Sequence, residues 1–202
     1  MATSNKLSPI MLVISGPSGV GKDATIAKIR ETGARLHYVV TATTRPKRNV
    51  EKDGVDYHFF SPREFNDKIA KDEFLEYARV YGNYYGVIKS EVSKALKKGQ
   101  DVILKVDVQG AATLKKKIPD AVFIFLLPES MEDLSSRLKK RNAGSESDID
   151  TRLGIAEAEM KNLTMFDYAV TNYKDNLDLT AEMVKAIVLA EKCRVKRRKV
   201  VL

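Results

Sequence analysis

Cysteine and long apolar runs are both scarce in this sequence, and each scarcity removes a class of protein. Cys193 is the only cysteine, so no internal disulfide can form, and a reducing intracellular compartment fits. No apolar stretch reaches the roughly 18 residues that a membrane-spanning helix needs, which points to a soluble protein without a membrane partner. The opening residues, MATSNKLSPI, hold no apolar signal core; a transit peptide trimmed ahead of them stays open. There is no internal repeat, no low-complexity block and no long Pro/Gly linker, so nothing divides the chain. Its 202 residues suit one α/β domain with a substantial core and small inserted lids. An apolar fraction of 44% beside a charged fraction of 31% reads as globular.

Negative charge is also in short supply: 35 Lys and Arg face 27 Asp and Glu, a formal net charge of +8. Such an excess suits either a nucleic acid or a small polyanionic substrate. Much of it sits in Lys115-Lys116-Lys117, Lys139-Lys140-Arg141 and Lys196-Arg197-Arg198-Lys199. No aromatic residues interleave with these runs as a single-strand platform requires, which disfavours nucleic acid. The runs read instead as solvated helix faces and a frayed tail.

What is present alternates between strand and helix patterns. Pro9 precedes the apolar run Ile10–Ile14, which meets glycines and reads as a buried strand. A helix is expected from about Asp23 to Glu31 and a strand over Tyr38–Thr41. Residues 45–88, with Gly54, Gly82, Gly86 and five tyrosines, read as an inserted subdomain of short β segments. Lys89–Lys98 reads as a helix closed by Gly99 at C′. Val102–Val106 is a strand leading into Asp107, and Ala121–Leu127 is a strand apolar enough to be buried on both faces. Ser130 caps a helix to Arg141, with Glu132 and Asp133 in its first turn. Residues 142–150 are small and polar and read as a loop or lid. A helix to about Leu163, a strand over Tyr168–Thr171 and a helix over Asn176–Cys193 complete the chain. The alternation predicts a parallel sheet with helices on both faces.

Three stretches carry chemistry. Gly16-Pro17-Ser18-Gly19-Val20-Gly21-Lys22-Asp23 fits the phosphate-loop pattern GxxxxGK between a strand and a helix. Its glycines let backbone N–H groups face an anion at the positive end of a helix dipole, and Lys22 reaches the β- and γ-phosphates; the plainer reading is a Gly-rich turn. Next, Arg45 and Arg48 follow the Tyr38–Thr41 strand and precede Tyr57. Two guanidinium forks can grip one phosphate, although alone the stretch is a basic loop. Third, Glu76 opens a run through Tyr85 and Gly86. A carboxylate accepts two hydrogen bonds side by side, and guanine offers N1–H and N2–H₂ where adenine does not; alone, such a Glu is a solvated charge. Arg137 and Arg141, four apart, share a helix face, where pairing with the helix C-terminal dipole would also suit them.

In order and spacing, GPSGVGK, TATTRPKR, FLEYARVYGNYYG and VDVQG resemble the guanylate kinase family, from about residue 10 to about residue 190. The resemblance implies a P-loop NTPase-type parallel sheet with helices on both faces. It implies a core at 8–42, 90–140 and 153–195, a mixed-β GMP-binding insert at 43–89 and a small lid at 141–152. It implies transfer of the γ-phosphoryl of ATP to GMP with Mg²⁺ as cofactor. By the same resemblance Gly16, Pro17, Ser18, Gly19, Val20, Gly21, Lys22, Asp23 and Arg137 serve ATP, and Asn172 lies near adenine. Thr41 and Glu76 read guanine, and Arg45, Arg48, Tyr57 and Tyr85 hold the GMP phosphate. Asp107 helps to place GMP or the metal, for which Asp23 is the candidate ligand. Arg141 and Arg152 join Lys22 and Arg48 around the transferring phosphoryl.

Three positions depart from the family pattern. Asp23 stands where Ser or Thr is usual, Val87 where a Ser or Thr lies near the base, and Lys105 where an Asp is usual. The pairing of Asp23 with Lys105 is similar to plant organellar members, which suggests a plastid or mitochondrion, with cytoplasm as the alternative. A different class of function stays open: guanylate-kinase-like modules that have lost catalysis bind phosphorylated partners. Such modules typically lack the intact glycine loop and its lysine, both present here.

Overall fold

Strand β1 (Met11–Ser15) is buried along its whole length. Its two-residue period sends alternate side chains to opposite faces. Met11 and Val13 enter one apolar cluster, and Leu12 and Ile14 enter another, so both faces must be covered. The computed structural model describes the backbone of residues 8–80, 82–141 and 146–202, and their side chains except those of 141 and 146–149. After β1 come α1 (Lys22–Glu31), β2 (Leu36–Tyr38), β3 (Ala42–Thr43), β4 (His58–Phe59), α2 (Pro62–Ala70), β5 (Phe74–Val80) and β6 (Asn83–Ile88). Then follow α3 (Lys89–Lys97), β7 (Asp101–Lys105), α4 (Val108–Lys117), β8 (Val122–Pro128), α5 (Met131–Arg141), α6 (Glu146–Met160), β9 (Tyr168–Asn172) and α7 (Leu177–Lys192).

Five strands form one sheet in the order β2-β7-β1-β8-β9, every pair parallel. Helices α3 and α4 supply Val92, Ala95, Ala111 and Leu114 to the cluster that holds Met11 and Val13. Helices α1 and α7 supply Ile29, Ala181 and Val184 to the opposite one. With β1 central, its own exit loop and the end of β7 are neighbours, Ile14 lying opposite Lys105. Ligands of open parallel sheets bind outside these carboxyl ends.

A second, four-stranded sheet has the order β4-β3-β6-β5, with β3–β4 parallel and the other pairs antiparallel. Tyr38–Thr41, expected as one strand, is divided between the two sheets. Val39 N–H still donates to Ile103 O at 3.1 Å, but Thr41 O already accepts from His58 N–H at 3.0 Å in the second sheet. The insert is also more than short β segments, because it contains α2. Pro62 opens that helix, and Ser61 and Glu64 cap it reciprocally, which satisfies two backbone donors that a helix start leaves unpaired. Phe65 of α2 stacks on Phe74 at 4.3 Å and on Tyr84 at 5.2 Å, forming the insert's own small core.

Other boundaries moved as well. Asp107 does more than follow a strand: its carboxylate accepts from Gly110 N–H at 2.6 Å and caps α4. Residues 146–150, expected in a loop or lid, belong to α6; 142–145 lie outside the described residues. The basic C-terminal run is not a frayed tail. Arg198 pairs with the buried Glu191, donates to Ala121 O at 3.1 Å and lies 3.5 Å from Asp167. Burial would raise the Glu191 acid, but Arg198 and Tyr168 more than offset it and hold it below the usual carboxylate range. The tail is thereby clasped to α7 and to the residues that lead into β8 and β9.

Candidate active site

The loop between β1 and α1 takes its shape from close approaches. Gly21 has φ +101°, and a Cβ there would stand 2.3 Å from Asn172 Nδ2. Val20 O accepts from Asn172 Nδ2 at 2.6 Å and from Arg137 Nη1 at 2.9 Å. Arg137 also donates to Asn172 O at 3.2 Å and pairs with Asp133 at 2.7 Å. The structure therefore places Arg137 and Asn172 against the back of the loop, where they fix its curl.

The front of the loop attracts an anion. Ser18 N–H donates to Glu159 Oε2 at 3.2 Å; the carboxylate oxygen stands where a phosphate oxygen would be recognised by the same amide. Lys22 Nζ curls back to donate to Gly16 O at 2.6 Å and Pro17 O at 3.1 Å. Desolvation pushes its ammonium down to about 8, against the pull of Glu159, Asp23 and Asp107. Burial raises the Glu159 acid, with Lys22 and the Ser18 amide opposing. Nothing in the run of α6 distinguishes Glu159 from its exposed neighbour Glu157, so sequence reasoning had no signal for it.

A cleft of about 140 Å³ joins this loop to the insert. Ser18, Gly19, Lys22 and Asp23 line one side, and Thr41, Tyr57, Glu76 and Tyr85 line the other. Lys105, Asp107 and Glu159 lie between them. Glu76, on β5, is only 4% exposed. Its Oε2 and Asp107 Oδ2 are buried without a hydrogen-bond partner among the described residues. Helix α4 makes room for the carboxyl with Gly110, where a Cβ would be 2.6 Å from Oε2. Burial, and then the nearby Asp107, push the Glu76 acid up to about 8, with Lys117 opposing. A buried polar atom of this kind is costly unless paired, so the site suits a ligand that brings hydrogen-bond donors.

Arg45 lies against two tyrosines of the cleft, 5.3 Å from the centre of the Tyr57 ring and beside Tyr85. Arg45 is bound in two places to Glu51, at 2.7 and 3.0 Å, and Arg48 lies 3.9 Å from the same carboxylate. Neither lines the cleft, and Arg152 on α6 does not either. The Arg141 side chain lies outside the described residues. Val87, on β6, is fully buried in the core cluster that also holds Leu75, Val92 and Val106, and it is not among the residues that line the cleft. Lys105 and Asp23, the two charge departures that the sequence couples, meet in the structure: Lys105 is part of the cleft, pairs with Asp23 and donates to Tyr57 Oη at 2.9 Å.

The profile of the guanylate kinase family matches residues 8–191. A guanylate kinase of Clostridium perfringens (strain SM101 / Type A) is 47% identical over 190 residues, covering 94% of this chain and 87% of that protein. Guanylate kinase 2, chloroplastic/mitochondrial, of Oryza sativa subsp. japonica is 46% identical over 193 residues, covering 95% and 68%. The crystal structure of guanylate kinase from Anaplasma phagocytophilum superposes with a TM-score of 0.78 at 30% identity, covering 95% of this chain and 90% of that one.

Proposed function

The chain belongs to the guanylate kinase family, and on that premise we propose that it transfers the γ-phosphoryl of MgATP to GMP, giving ADP and GDP. One observation carries the reading: a buried, unpartnered carboxyl on the insert faces the same cleft as the lysine of a phosphate loop. Such a carboxyl, once ionised, accepts from guanine N1–H and N2–H₂ together, and adenine offers no such pair. Thr41 lines the same cleft and reads the base with it. Tyr57 and Tyr85 offer hydroxyls for the acceptor phosphate, with Arg45 and Arg48 brought in as the insert closes. Arg137 and Asn172 serve ATP by holding the loop, and Arg141 and Arg152 close from the lid. The division into core, insert 43–89 and lid 141–152 is part of the same reading.

The reaction needs positioning and charge neutralisation more than covalent help. A phosphate oxygen of GMP forms a bond to the γ-phosphorus, the bond from that phosphorus to the β–γ bridging oxygen breaks, and ADP leaves with the electron pair. The loop amides and Lys22 hold the donor phosphates and offset charge on the transferring group. Lys22 gives up its contacts to Gly16 O and Pro17 O to do so. Mg²⁺, when bound with ATP, supplies further neutralisation across the phosphate oxygens. Among the described residues no cluster of three or more His, Cys, Asp or Glu could cage a metal. Mg²⁺ on nucleotides keeps several waters and needs only one or two carboxylates, so Asp23, an oxygen ligand in the cleft beside Lys22, fits the part.

No helix among the described residues is long and apolar enough to cross a membrane. The rice relative's name supports an organellar setting, which imaging of the tagged full-length protein in its own cells tests. The activity is tested by a coupled assay of GMP, dGMP, AMP, UMP and CMP with MgATP. GMP should be strongly preferred to AMP; equal turnover of AMP overturns the base-reading role of Glu76.

A further inference from the structure

Lys105 ends β7 opposite Ile14 of β1, at the inner wall of the cleft. Its side chain is 15% exposed. Its Nζ pairs with Asp23 at the start of α1, donates to Tyr57 Oη at 2.9 Å and sits 4.2 Å from the centre of the Tyr57 ring. One ammonium thus joins the phosphate-loop helix, the core sheet and the insert. An ammonium carries three N–H donors. Among the described residues Asp23 and Tyr57 are its two hydrogen-bond acceptors, which leaves one donor for a ligand.

The surroundings indicate which ligand. Lys22 and Lys105 both line this cleft, together with Asp23, Asp107 and Glu159, so a phosphate that entered it would meet two ammonium groups at once. Lys22 belongs to the donor side through the loop that it ends. Lys105 is tied to Tyr57, on the insert that also carries Glu76 and Tyr85. Neutralising Asp23 would not by itself call for a lysine sunk into the wall, since Asp23 is 58% exposed and water could solvate it. We propose that Lys105 is a further phosphate-binding residue of the acceptor half-site. With the Tyr57 hydroxyl it grips the phosphate of GMP, and Asp23 aims it. This rests on GMP being the acceptor.

Binding of GMP, and of guanosine, which lacks the phosphate, tests the assignment on the full chain. Lys105→Met should weaken GMP about tenfold to a hundredfold, the usual loss for a hydrogen bond to a charged group, and leave guanosine within about twofold. The same substitution removes an ammonium that faces Asp23, so KM for ATP is measured beside KM for GMP and should change less. Adding Asp23→Ser removes the aiming carboxylate as well and should leave KM for GMP high. If GMP and guanosine weaken alike, if neither changes, or if Asp23→Ser restores KM for GMP, Lys105 is only a clasp and the proposal is overturned. Should Lys105→Met fail to fold, Lys105→Gln, which keeps the length and polarity, is held to the same outcomes. A wild-type protein that binds no GMP overturns the acceptor reading itself, which is distinct from wild-type binding that the Lys105 variants leave untouched.

Discussion

Binding of GMP should expel a proton from Glu76, and the structure sets how much. In the ligand-free protein burial and Asp107 push this acid up to about 8, so at pH 7 about 0.9 of the molecules carry it protonated. A protonated carboxyl keeps a hydrogen where guanine needs an acceptor. Accepting from both N1–H and N2–H₂ requires the ionised form, so binding pulls the acid down. Proton release through Glu76 is therefore about 0.9 at pH 7, about 0.5 at pH 8 and about 0.1 at pH 9. Apparent affinity for GMP rises close to tenfold per pH unit below 8 and levels above it. Titration calorimetry in two buffers of different ionisation heat measures the release. GMP's own phosphate also titrates, so the quantity to compare is wild type minus Glu76→Gln. A difference near zero at pH 7 would refute the reasoning, because Glu76 would then be ionised already or would not touch the base. Stability gives an independent check of sign. The folded acid is raised above its ordinary value of 4.5, so the folded state binds more protons and its advantage is complete below that value. The advantage is lost as pH rises through about 8. Denaturant melts should show wild type losing stability between pH 6 and 9 more steeply than Glu76→Gln.

Three further outcomes are expected. Gly21→Ala forces a Cβ to within 2.3 Å of Asn172 Nδ2 at φ +101°; ATP affinity by calorimetry should fall at least about tenfold, since the strain of roughly 1–2 kcal/mol adds to the clash. Arg198→Ala leaves Glu191 buried with fewer partners and should cost about 2–4 kcal/mol in denaturant melts, with GMP turnover of the folded fraction unchanged; a loss under about 0.5 kcal/mol would show the tail clasp to be unimportant. The insert should swing toward the core when both nucleotides bind, because Arg45 and Arg48 are held by Glu51 outside the cleft. Solution scattering with a bisubstrate analogue should give a smaller radius of gyration, and an unchanged radius would count against the closure.

The phosphate loop was legible from sequence because everything that defines it is local. An apolar strand, three glycines and Lys22 occupy about a dozen consecutive positions, and strand and helix periods differ enough to be told apart. Alternating strands and helices likewise fixed a parallel sheet covered on both faces. Local signals could also be overlooked: Ser61, Pro62 and Glu64 announce α2, yet the surrounding glycines and tyrosines read as β throughout. What only the tertiary structure decided involves partners far apart in the chain. Lys105 meets Asp23 across 82 positions, Arg137 meets Val20 across 117, and Glu159 meets the Ser18 amide across 141. A lone Glu or Arg is the same residue on a solvated face or in a buried site, and its role depends on desolvation and on what packs against it. Glu76 shows this most plainly: the sequence supplied a carboxylate that could match guanine, while the packing of β5 against α4 made it buried, unpartnered and raised in pKa. The same holds for the basic tail, where charge pattern alone predicted solvent and Glu191, buried within α7, required Arg198.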